Sequence, residues 1–333
     1  MNFRPAEWQK NKTIFLAWPY DVRLWGDDLL DAQQEFLALV FALSDERVVV
    51  IVPTENELKR VAVKLAPSDR LSLKVLAYGD IWLRDTFPIF VEDERGQTRA
   101  VIPRFNGWGN KYPFADDLDL SRRAAKLLNT PTIEAHLTFE GGAIDCDGAS
   151  TLLTTEHCLL NPNRNPHASK LMVEQEFARL FGTKKTIWLK EGLKNDHTDS
   201  HIDTLARFIK PHTIAIMNPC GPDDPNYEVL LAIKAQLLGQ TDAQNRPIEI
   251  VEIPSPGAVV SRAGVLLPAS SLNFIMGDKT LLVPLYGTPY DDEVLGRFKA
   301  SVALNVIGLS AKAILSGGGA FHCISQEFYG EVI

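Results

Sequence analysis

Asn195–Asp203 reads NDHTDSHID, two histidines and three aspartates within nine residues. His201 and Asp203 are two apart, so on a strand both side chains would leave from the same face. A histidine beside a carboxylate can act as an acid–base pair, because its unperturbed pKa of roughly 6.5 lies near working pH. The matching nucleophile is far away, in Ser316–Phe328, SGGGAFHCISQEF, where three glycines precede Phe321, His322 and Cys323. Glycine triplets allow close backbone approach. A cysteine there, with a His–Asp pair elsewhere, has the composition of a thiol-nucleophile site built from distant segments. His322 adjoins Cys323 and on a strand would point the opposite way, so His201 is the preferred base. Candidates spread over about 240 residues, Asp85 to Cys323, require one closed architecture. The expected organisation is therefore a single catalytic domain over residues 1–333, rather than two independent ones.

Other readings of the same stretch stand beside this one. His197 and His201 are four apart, the spacing of metal-binding helices, and Asp199 and Asp203 could complete a metal site. The residue after His197 is Thr198, not the Glu of H-E-x-x-H, and no helical pattern surrounds the pair. A metal-dependent hydrolase on His197, Asp199, His201 and Asp203 is thus an alternative, as is a purely structural polar loop. In Asp80–Pro88, DIWLRDTFP, Trp82 and Asp85 are three apart, and the bland reading has Asp85 capping a turn or pairing with Arg84. In Phe139–Asp147, FEGGAIDCD, Glu140 precedes two glycines that let another backbone come close to it. Asn161–Pro166, NPNRNP, is dense in turn formers and reads as a tightly built loop.

Composition excludes several classes. The chain has 333 residues, 45% hydrophobic and 23% charged, which is neither disordered nor collagen-like. A mass of 37.0 kDa scales to a folded surface of roughly 13,600 Å², enough core to need no disulfide or metal staple. The formal net charge of -8 argues against a nucleic-acid or polyphosphate binder. No run reaches the roughly 18 apolar residues of a spanning helix, and the N-terminal stretch lacks a secretory pattern. Cys146, Cys158, Cys220 and Cys323 contain no C-x-x-C pair, so the expected compartment is the cytoplasm.

Strand and helix patterns alternate throughout. Strands are predicted at Thr13–Trp18, Arg47–Val52, Thr213–Met217, Ile248–Ile253, Thr280–Pro284 and Val302–Ile307, with a hairpin at Phe87–Val91 and Thr98–Pro103. Helices are predicted at Asp27–Leu43, from Thr54 to before Pro67, and at Leu118–Leu128, His167–Phe181, Asp224–Leu238 and Asp291–Lys299. The strand–helix–strand order allows either a five-fold repeat array or a doubly wound sheet.

Three carboxylates, Asp85, Glu140 and Asp203, would line an oxyanion hole poorly, since they repel developing negative charge. They suit a guanidinium, whose planar N–H donors carboxylates clamp in pairs. Cys323 would attack the guanidinium carbon, His201 would protonate departing ammonia, and water would release the product without metal or organic cofactor.

The blocks DIWLRDTFP, FNGWGNKYP, EGGAIDCDGASTLLTTEHCLLNPNRNP, DHTDSHIDTLARF, PASSLNF and GGGAFHCISQEF resemble, in order, those of the agmatine deiminase and bacterial-type peptidylarginine deiminase family. The resemblance implies an α/β fold of pentein type, a five-bladed propeller of ββαβ-like units with pseudo-five-fold symmetry. It implies Cys323 as nucleophile, His201 as acid/base, Asp85 and Asp203 as guanidinium carboxylates, Glu140 as a substrate or histidine contact, and Trp82 as a lining aromatic. It implies a small cationic guanidino substrate, agmatine first, converted to N-carbamoylputrescine and ammonia; deimination of another guanidino compound or of peptidyl-arginine is the nearest rival, and an inactive guanidino-binding module a further one. A homo-oligomer is compatible with it. The resembling agmatine deiminases carry an acidic residue four before the histidine; here His197 stands there, flanked by Asp196 and Asp199. Either a flanking aspartate receives the substrate's distal amine, or the distal end is not an amine.

Overall fold

The computed structural model describes residues 2–330. Five small sheets repeat one plan: an antiparallel pair, a helix, then a strand running parallel to the second member of the pair. Ile89–Asp93 pairs with Thr98–Arg104, and the helix Leu120–Leu127 leads to the parallel Thr132–Thr138. Ile144–Cys146, Thr151–Thr155, Lys170–Phe181 and Lys185–Leu189 repeat the plan. So do Ala206–Lys210, Thr213–Asn218, Tyr227–Leu237 and Glu249–Pro254. The fourth unit is Ile275–Met276, Thr280–Leu285, Asp291–Ser301 and Asn305–Ser310.

The fifth unit takes its first strand from the C-terminal end of the chain and the rest from the N-terminal end. Ser325–Phe328 pairs antiparallel with Thr13–Ala17, Ser325 opposite Leu16 and Phe328 opposite Thr13. The helix Leu29–Ala42 and the parallel strand Arg47–Val52 complete it, and Leu71–Val75 adds a further parallel strand. This closure makes the ring a pentein-type five-bladed propeller. Of the two architectures that periodicity allowed, the doubly wound sheet is excluded by the five separate sheets.

The middle strands read as continuous apolar runs because both their faces are covered. Thr13–Ala17 is buried at every position, and Thr280–Leu285 at all but Leu285. Helix ends follow local chemistry. Ser169 caps Met172 N, and Gly182 ends that helix at φ +67°, where a side chain would be strained. The last parallel strand begins at Asn305 rather than Val302, because the helix before it runs to Ser301 and the chain must turn. The accessible surface, 13581 Å², agrees with the mass scaling. Among the described residues, no helix is long and apolar enough to cross a membrane.

The ring is stitched inside by buried ions. Arg84 reaches Glu327 at 2.7 Å and Glu7 at 3.4 Å, while Arg207 joins Asp145 at 2.5 Å and also Glu7. Removing one member would leave an uncompensated buried charge, which is why such sets hold separate segments in register.

Candidate active site

Every unit contributes from one equivalent place, the few residues leading into its first strand. Asp85 precedes Ile89–Asp93, Glu140 and Gly142 precede Ile144–Cys146, and His201 and Asp203 precede Ala206–Lys210. Asn273 precedes Ile275–Met276, and Cys323 precedes Ser325–Phe328. Asp85, His201 and Asp203 meet beside Gly142. A Cβ built there would lie 2.6 Å from His201 Nδ1, 3.0 Å from Asp85 Oδ1 and 3.1 Å from Asp203 Oδ2. The absent side chain is the space between them.

Asp85 is held by two donors, Gly142 N at 2.9 Å and Trp108 Nε1 at 2.8 Å. Gly107, Trp108, Gly109 and Asn110 all have positive φ, a left-handed run that glycine and asparagine accept and that is strained at Trp108, whose indole reaches Asp85. Burial, opposed by His201 and reinforced by Glu140 and Asp203, raises the Asp85 carboxyl above its ordinary range. The pairing with Arg84 envisaged as a bland alternative does not form, since Arg84 turns to Glu327 and Glu7.

The expected His201–Asp203 pair is replaced by two others. Residues 202–204 form a 3-10 turn, not a strand, so side chains two apart no longer share a face. His201 Nε2 is 3.4 Å from Glu140 Oε2 and Nδ1 is 3.8 Å from Asp85 Oδ2. Burial alone would disfavour its charge, but Asp85, with Cys158 and Glu140, holds the imidazole well above its ordinary value. Glu140, fully buried, is anchored by Arg164 Nε at 2.9 Å and contacts the histidine, the second of the two roles considered for it. Asp203 Oδ2 instead meets His322 Nδ1 at 2.7 Å. Cys323 also lies on a turn, so the strand argument that set His322 aside does not apply.

Cys323 Sγ is 3.6 Å from Asp203 Oδ2 and accepts from Asn273 Nδ2 at 3.2 Å, while Cys323 N donates to Asn273 Oδ1 at 3.2 Å. Burial first, then the charges of Asp203 and Asp85, push its thiol well above the ordinary value. Gly319 leaves room for Trp82 and Cys323, whose atoms would lie 2.8 and 2.9 Å from a Cβ there.

The cavity in front of Cys323 encloses about 220 Å³. Trp25, Trp82, Trp108, Tyr112 and Phe114 supply aromatic wall, Asp80 and Asp85 the acids, and His197 is also on the lining. Asp80 accepts from Trp25 Nε1 at 3.1 Å and Trp82 Nε1 at 2.8 Å, fixing both indoles. Asp199 is not on this wall: it binds Lys111, Arg164 and Asn163, which overcome its partial burial and hold it at about 2. Asp196 accepts from Thr198 N at 2.8 Å and Thr198 Oγ1 at 2.6 Å. The four residues of the metal alternative share no centre, because each faces a different partner or the cavity rim.

Sequence reasoning passed over Trp108, Asn273, Arg164 and Glu7. The first three sit inside the FNGWGNKYP, PASSLNF and NPNRNP blocks; nothing around Glu7 marks it.

With this geometry in view, the likeness to known proteins is specific. The profile of the Porphyromonas-type peptidyl-arginine deiminase family matches residues 3–328. The chain belongs to that family. An agmatine deiminase of Stutzerimonas stutzeri is 33% identical over 98% of this chain and 95% of its own length. Among solved structures, the agmatine deiminase of Enterococcus faecalis superposes with a TM-score of 0.91 at 26% identity, covering 98% of this chain and 95% of its own. A cysteine-to-serine variant of C. jejuni agmatine deiminase with substrate bound gives 0.89 at 28%, over 100% and 98%. In this deiminase-family site, Gly142→Ala should drive a methyl into the junction of His201, Asp85 and Asp203. The expected result is a fall in kcat/KM of about 10²-fold together with a lowered melting transition, because the buried side chains around the methyl must shift. Unaltered turnover would show that this cluster is not the site of reaction.

Proposed function

We propose that the chain is an agmatine deiminase, converting agmatine and water to N-carbamoylputrescine and ammonia. Its enzyme class, a hydrolase of amidine C–N bonds, follows from the nearly full-length relatives. The observation that carries the substrate is the cavity wall, which has two acids and five aromatic rings but, among the described residues, no lysine or arginine. Neither flanking aspartate, Asp196 or Asp199, is on this wall, so Asp80 is the acid that would take their place. A chain ending in an ammonium would meet aromatic faces and Asp80, whereas a carboxylate beside the carbon chain would find no lysine or arginine and only His197 as a basic partner.

In the proposed course, the guanidinium lies between Asp85 and Asp203 with its carbon before Sγ. Its charge offsets the two carboxylates that keep the thiol protonated, so the thiol can ionise as substrate enters, its proton passing to solvent and in the end to the released ammonia. Sulfur bonds to carbon, and the C–N bond breaks as His201 gives its proton to the departing amine, leaving a thiouronium on Cys323. The now neutral His201 takes a proton from water, whose oxygen attacks the same carbon. The C–S bond then breaks as the adduct's hydroxyl proton passes to the departing sulfur, releasing the ureido product and restoring the thiol.

Ammonia release from agmatine, arginine, guanidinobutyrate and a blocked arginine peptide tests the reading. Agmatine should show the highest kcat/KM, by about 10²-fold over arginine. A preference for either carboxylate-bearing compound or for the peptide would overturn the substrate while leaving the chemistry standing.

A further inference from the structure

His322 takes no part in the steps above, yet few side chains here are more constrained. It is wholly buried, with Nδ1 2.7 Å from Asp203 Oδ2 and Nε2 2.8 Å from Glu7 Oε1. An ionised carboxylate only accepts, so both ring nitrogens have to donate. The backbone is fixed as well: His322 N donates to Asn273 O at 3.0 Å, and His322 O accepts from Arg84 Nε at 3.3 Å. Glu7 is clamped in turn by Arg207 and Arg84. Meanwhile Asp203 Oδ1 is buried with no hydrogen-bond partner. A carboxylate oxygen left this way is costly unless a donor arrives.

We propose that His322 is a positioning residue, a two-sided N–H donor wedged between Glu7 and Asp203 that presents Asp203 Oδ1 to the guanidinium. This rests on the deiminase reading and extends it to a residue that does not touch substrate. Glu7, Asp145 and Glu327, with Arg84 and Arg207, face the wedge from behind. Asp85, Glu140, His201, Arg164 and Cys323 lie on the substrate side. Burial raises the Asp203 carboxyl, but the hydrogen bond and charge of His322, followed by His201 and Arg207, prevail and hold it below its ordinary range.

His322→Gln removes the charge and one of the two donors. Without them the Asp203 carboxyl should titrate at higher pH. The expected loss in kcat/KM for agmatine is therefore about 10-fold or more at pH 6, carried by KM, and shrinks toward pH 9 as Asp203 ionises again. A loss equal at every pH, or none, overturns the proposal. A measurement free of turnover covers the case in which the variant fails to fold or the enzyme is not a deiminase. In the His201→Gln protein, [15N]histidine spectra at the assay pH should retain one exchange-protected imidazolium protonated on both nitrogens; none sinks the wedge.

Discussion

Cys323→Ala should abolish ammonia release from agmatine, lowering kcat by about 10⁴-fold or more. The thiol is the group in the cavity able to form a covalent bond to the guanidinium carbon while remaining backed by carboxylates. Without it, water would have to attack a resonance-stabilised cation directly. Binding should survive, because Asp85 and Asp203 keep their donors from Gly142, Trp108 and His322. The check has two parts: turnover, and agmatine binding by calorimetry. Binding without turnover is the expected pair, and intact protein rapidly quenched during turnover should carry the thiouronium mass only when Cys323 is present. Activity that persists in the alanine variant removes the thiol mechanism altogether. The other three cysteines offer no substitute. Cys146 and Cys158 are buried and neither lines the cavity in front of Cys323. Cys220 lies half-buried away from this cavity.

Asp85→Asn should cost kcat/KM about 10²- to 10³-fold, the usual consequence of taking one charge from a buried charged pair. Asparagine fills the same volume but turns its NH2 toward Gly142 N or Trp108 Nε1, so the effect combines the lost charge with one lost hydrogen bond. It should also alter the pH dependence. The imidazole of His201 is raised against burial chiefly by Asp85, then by Cys158 and Glu140. Deleting that anion lowers the imidazole toward its ordinary value, so the protonated form needed to deliver a proton to ammonia is lost at lower pH. The alkaline limb of kcat should therefore move down in pH. An unchanged limb together with an unchanged kcat/KM would mean that Asp85 neither binds the cation nor tunes the histidine.

Much of the architecture was readable from local pattern. Helix Asp291–Ser301 starts where the acidic run DDE begins, and the apolar runs TIFLA and RVVVIV became central strands. Ser325–Phe328 was not readable. SQEF has no alternating or apolar signature, and it is a strand because Gln326 and Glu327 are buried against Arg84, a partner more than two hundred residues away. Ile275–Met276 is equally illegible, being only two residues long.

The division at the site follows from the same cause. Residue types and glycine spacing in the chain were enough to nominate Asp85, Glu140, His201, Asp203 and Cys323 and to rule out several chemistries, because those features are local. Which carboxylate serves which histidine was decided only by folding. The 3-10 turn at Ile202–Thr204 separates His201 from Asp203, and the ring closure between Ser325–Phe328 and Thr13–Ala17 sets His322 in contact with Glu7 and Asp203. Pairing inside a buried cluster depends on directions in space. Short-range sequence carries those only while the backbone keeps one period, and here five strand entrances converge on one axis.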